Sequence, residues 1–77
     1  MSHTPHELAE EFPDKLDRIH TLKATDAHFR RLSDDYHTVN RAIHRAETNV
    51  EPIDRFHEED LRKHRMRLKD EIARMLA

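Results

Sequence analysis

The chain has 77 residues, no cysteine, no glycine and no tryptophan, with 14 Lys and Arg against 16 Asp and Glu and eight histidines. That length permits one small domain, and the missing cysteines exclude disulfides and thiol chemistry. The near-neutral charge, with seven basic and nine acidic residues over 1–49 and seven of each over 50–77, excludes the strongly basic field of a general nucleic-acid binder.

Chain order begins with Thr4-Pro5-His6-Glu7, a helix start in which Thr4 caps, Pro5 takes the first helical position and Glu7 completes a capping box. Pro13 breaks this segment near residues 11–13, because it lacks an amide donor and disfavours helical geometry at Phe12. The helix then resumes over 13–23 with Leu16, Ile19 and Leu22 on one side. The N-terminal helical segment is thus expected at about 5–23.

Thr25 and Asp26 are both good caps for a second helix at about 26–48. Phe29, Leu32, Tyr36, Val39, Ile43 and Ala46 recur along it every three or four residues, and Leu61, Leu68, Ile72 and Met75 resume the stripe in a third helix at about 52–76. Asn49 stands in for the usual glycine terminator, and Pro52 favours the next helix start. Together these features predict an all-α single domain spanning 1–77: a broken N-terminal helix followed by an antiparallel, coiled-coil-like hairpin. A turn centred near Val50 and Glu51 would set Phe29 opposite Ile72, Tyr36 opposite Arg65 and Val39 close to Leu61. The interaction seam is then Phe29, Leu32, Tyr36, Val39, Ile43, Leu61, Arg65, Leu68 and Ile72. A lone hairpin leaves such a seam partly wet, so either self-association into a four-helix bundle or docking of the N-terminal segment is expected.

The stretch Asp35-Tyr36-His37-Thr38-Val39-Asn40-Arg41-Ala42-Ile43, Glu47 before the turn, and Leu68-Lys69-Asp70-Glu71-Ile72 resemble the YdcH-like family of small bacterial proteins over about residues 13–76. The resemblance implies a short cytoplasmic protein with a coiled-coil-like hairpin. It also implies a biochemical role that is unassigned, with no catalytic or ligand residues to transfer. The chain departs from the family in its richness in histidine and in a turn without glycine.

Chemistry-bearing residues are few. The same mirrored pairing sets His44 against His57 and His37 against His64, and each pair offers two imidazoles to a metal or forms a proton-sensitive contact. Histidines seven apart are about 10.5 Å apart along a helix axis, so the four cannot share one ion. The bland reading, histidines flanking the seam, is preferred, and no metal or other cofactor is expected. Arg62, Arg65 and Lys69 share one side of the most basic segment and suit phosphates, but the acids at 58–60 and 70–71 reduce that field. Arg65 itself occupies a seam position, where it either covers apolar surface and stacks on Tyr36 or sets the register. No thiol, glycine-rich phosphate loop or helix-spaced Ser/His/acid group supports catalysis.

The composition and pattern lead to a non-enzymatic protein that works through protein–protein contact or self-association, a homo-oligomer being expected. The alternatives are a metal- or pH-responsive module and a weak nucleic-acid binder. No small-molecule substrate and no membrane partner are expected, because no apolar run approaches the ~18 residues of a membrane span. The compartment expected is the cytoplasm.

Overall fold

A computed structural model describes residues 5–48 and 54–77. Within them the chain is all-α, with no strand. Its elements are α1 (Leu8–Glu11), a 3-10 turn (Pro13–Lys15), α2 (Leu16–Thr25), α3 (Ala27–Glu47) and α4 (Arg55–Leu76). Residues 5–15 form a strap that crosses the hairpin made by α3 and α4.

The strap starts differently from the sequence expectation. Pro5 and His6 lie in a turn, and His6 has φ 63, a left-handed conformation that costs a non-glycine residue about 1 kcal/mol or more. The first helix therefore begins at Leu8, not near Pro5. Glu7 serves as its cap through the backbone carbonyl, which accepts from the amides of Glu10 and Glu11, while its side chain makes no capping bond. The expected cap Thr4 lies outside the described residues. Pro13 does interrupt the segment, with Phe12 at φ −130 and ψ 61 leading into the 3-10 turn.

One residue makes the corner between α2 and α3. The Asp26 amide closes α2 on the Leu22 carbonyl, and its carboxylate accepts from the Phe29 amide at 3.0 Å to open α3. Such a cap stabilises a helix by about 1 kcal/mol. Arg30 Nε adds a bond to the Lys23 carbonyl across the corner.

α3 ends at Glu47, one residue short of the expected end, where the Thr48 amide and hydroxyl both donate to the His44 carbonyl. α4 spans Arg55–Leu76, and the Asp54 carboxylate caps it through the Phe56 amide. Pro52, Ile53, Asn49 and the turn centre at Val50 and Glu51 lie outside the described residues.

α3 and α4 run antiparallel: late in α3, Glu47 meets Arg62, and earlier in α3 Asn40 meets Arg65, which lies later in α4. The core cluster joins Phe29, Leu32 and Tyr36 of α3 to Leu68, Ile72 and Leu76 of α4, with Leu8 from the strap and Ile19 from α2 laid over them. Phe12, Leu22, Val39 and Met75 pack around its edge. Of the two ways to cover the seam, the structure displays the docked N-terminal segment. No helix among the described residues is long and apolar enough to cross a membrane.

Candidate functional site at the strap-covered seam

Three hydrogen bonds hold the strap on the hairpin, and a fourth polar contact lies beside them. Tyr36 Oη donates to the His6 carbonyl at 2.6 Å, and Asn40 Nδ2 donates to the Pro5 carbonyl at 2.8 Å. Lys69 Nζ reaches Glu11 at 3.0 Å, and His37 Nδ1 lies 2.6 Å from Glu7. Two of the accepting carbonyls flank the left-handed His6, so the strained turn is what aims them at α3.

Asn40 is the hub of this arrangement. It is 1% exposed, and while its amide nitrogen holds the strap, its Oδ1 accepts from Arg65 Nη1 at 2.8 Å. A buried amide satisfied on both ends fixes register, since any slip of α4 leaves the buried Asn40 Oδ1 and the Arg65 Nη1 without each other. Arg65 was expected opposite Tyr36, where it could stack on the ring. It bonds instead one turn further along α3, because Asn40 offers a buried acceptor and the Tyr36 hydroxyl is committed to His6.

The electrostatics follow from the same contacts. The hydrogen bond and charge of Lys69 hold the Glu11 carboxyl below its usual range, with His6 adding to the effect and partial burial opposing it. A depressed carboxylate of this kind favours the folded state above its ordinary value of 4.5, and that contribution is lost as pH falls through the lowered value. Tyr36 goes the other way. Burial, with Glu11 and Glu7 nearby, pushes its phenol up to about 12 against a smaller opposing effect of Arg65.

The other seam residues take several environments. Phe29, Tyr36, Ile43 and Ile72 are fully buried, and Leu32 and Leu68 are buried. Val39, Leu61 and Arg65 are half-buried. With the strap docked, the centre of the seam is internal and not displayed to a partner.

The four histidines of the mirrored pairing sit in different environments. His37 is taken by Glu7, His44 is half-buried, and His57 and His64 are exposed. No group of three His, Cys, Asp or Glu side chains suited to a metal exists among the described residues. The three cations considered for phosphate are each engaged within the chain: Arg62 with Glu47 at 3.1 Å and Glu58 at 3.4 Å, Arg65 with Asn40, and Lys69 with Glu11.

Beside the strap, a cleft of about 200 Å³ opens between strap residues Glu7, Leu8 and Ala9, α2 residues Leu16, Ile19 and Lys23, and α3 residues Ser33 and His37. Here tertiary structure assembles what helix spacing alone did not: an acid beside an imidazole, with a serine one turn away on the imidazole's own helix. Ser33 sits in the middle of α3, where the backbone amides are committed to the helix ladder and supply no oxyanion pair.

Sequence reasoning missed Asn40, Glu7 and Glu11. A signal existed for Asn40, because its spacing from Phe29, Ser33, Tyr36 and Ile43 places it on the buried stripe as its polar member. For the two acids there was none, since their partners lie about thirty and fifty-eight residues away.

Comparison with known proteins adds a family and no activity. The chain matches no curated protein and no solved structure. The sequence model of the family described as "Protein of unknown function (DUF465)" matches residues 29–76, which are α3 from Phe29 onward, the turn and α4. That stretch is well over half of the chain, and it is the hairpin without the strap: this protein belongs to the DUF465 family.

Proposed function

We propose that this chain is a YdcH-like, non-enzymatic helical-hairpin protein of the cytoplasm that acts by self-association through the α3–α4 seam, with the N-terminal strap as its reversible cover. The observation that carries the reading is the way the strap is held. Leu8 is its one buried side chain in the cluster, and Phe12 packs on the rim. Its ion pair with Lys69 and its contact with His37 are between partly exposed groups, and surface pairs of that kind contribute little to stability. A cover with a single buried side chain in the cluster, held otherwise by the Tyr36 and Asn40 hydrogen bonds and partly exposed pairs, can give way to a second copy's apolar stripe, which would bury the same residues in a four-helix bundle. The family match to the hairpin alone supports treating the strap as separable from it.

The metal-responsive and nucleic-acid alternatives have less support, because the histidines are dispersed and the basic side chains are internally engaged.

Sedimentation equilibrium of the full-length protein and its Leu8→Asp variant tests the proposal. The variant, with its strap displaced, is expected to associate at concentrations where the parent is monomeric. A folded Leu8→Asp protein that stays monomeric with its strap released would overturn it.

A further inference from the structure

Asp26 closes α2 and opens α3, and it alone stands between the two helices, with extended backbone at φ −127 and ψ 109. The backbone bonds on either side of it keep helical spacing: the Asp26 amide donates to the Leu22 carbonyl at 2.8 Å, and the Arg30 amide donates to the Asp26 carbonyl at 3.0 Å. One residue's backbone rotation therefore separates this corner from a continuous helix running from Leu16 to Glu47, about 48 Å long. Straightening gives up the bond of Asp26 to the Phe29 amide and that of Arg30 to the Lys23 carbonyl. In return, the amides of Ala27, His28 and Phe29 reach the carbonyls of Lys23, Ala24 and Thr25 in the ordinary helix ladder.

A straight helix carries the N-terminal arm, residues 5–25, away from its own hairpin. Leu8 and Ile19 of that arm complete the core, and Phe12 and Leu22 pack at its edge. The hydrogen bonds from Tyr36, Asn40 and Lys69 join the arm to α3 and α4, and none of them requires arm and hairpin to belong to one chain. Two straightened copies laid antiparallel about their Asp26 residues set each α2 beside the other's α3, the neighbour it has within one chain. Exchange of an identical element is a low-cost route to a dimer, and a short hinge invites it. We infer that the Asp26 corner opens and that residues 5–25 dock on the hairpin of a second copy, giving an arm-exchanged dimer. This goes beyond the seam-pairing reading, because here each seam stays covered by an arm.

The test is sedimentation of the full-length protein over a concentration series, with isotope-filtered NMR on dimers mixed from labelled and unlabelled chains. The parent is expected to dimerise with the contacts of Leu8 to the α3–α4 core running between chains. Asp26→Ala removes the cap that holds the corner, twice in each dimer, and should tighten dimerisation about tenfold or more. Ala27→Pro holds the corner shut: Ala27 is the first residue of α3, where proline fits, and Asp26 already has the extended backbone that suits a residue before proline. That variant should be helical by circular dichroism and monomeric where the parent is dimeric. If it does not fold, the isotope-filtered contacts of the parent decide alone. A parent that stays monomeric throughout, a dimer whose Leu8 contacts lie within one chain or vanish as seam pairing predicts, or a folded Ala27→Pro protein that dimerises as tightly as the parent overturns the inference.

Discussion

Among the described residues, the seam has three layers at the end of the hairpin where α2 turns into α3 and two layers at the other end. Phe29, Leu32 and Tyr36 face Leu68, Ile72 and Leu76 under a lid of Leu8 and Ile19. Toward the turn, Ile43 and Ala46 are buried but stand outside that cluster, Leu61 is half-buried and Phe56 is 74% exposed. α3 is therefore buried along its whole length, while α4 is buried only from Leu68 onward. The difference shows that two amphipathic helices of this size make a contact, and that the third layer turns the contact into a core. A small domain has little stability to spare, typically about 3–5 kcal/mol from a core of this size, so where the third layer lies decides where the fold is strong.

Substitutions at the two ends separate these layers. Ile72→Ala empties the centre of the three-layer end and should cost roughly 2–5 kcal/mol, enough to unfold most of the population, as read by urea denaturation followed by circular dichroism. Asn40→Ala removes the hub between the layers. It leaves the Arg65 guanidinium and the Pro5 carbonyl without partners and should cost about 2 kcal/mol by the same measurement. Arg62→Ala, at the two-layer end, breaks contacts with Glu47 and Glu58 that are partly exposed, and should change stability by no more than about 1 kcal/mol. A cost for Arg62→Ala equal to that of Asn40→Ala would erase the distinction between the ends.

The parts of the fold legible in sequence were those governed by local rules. The stripe from Phe29 to Ala46, the caps available at Asp26 and the break at Pro13 each depend on residues within a turn or two, and they placed α3 and the hairpin. The Asp54 side chain, which caps α4 through the Phe56 amide, is a helix start signal that was not singled out beside Pro52. The strap was legible only as a possibility. Its docking depends on carbonyls presented by a left-handed histidine, and nothing in a sequence marks a histidine for that conformation. For the same reason the cleft and its Glu7–His37 contact were invisible: they arise where the strap lands. The mirrored histidine pairing considered only the hairpin helices, whereas the strap also reaches one of these side chains, His37, through Glu7.

The central claim is that the strap lies over Tyr36 and takes its hydroxyl proton in a hydrogen bond. Tyr36 is the chain's single tyrosine and there is no tryptophan, so phenolate absorbance reports this one group. Its folded-state value is raised, so the neutral phenol stabilises the fold below the ordinary value of 10.0, and that contribution fades as pH rises from there through about 12. Spectrophotometric titration of the folded protein should therefore show an ionisation midpoint well above 10, coinciding with loss of structure. A midpoint near 10 with the helices intact would mean that the phenol is in water and the strap is not where this account places it.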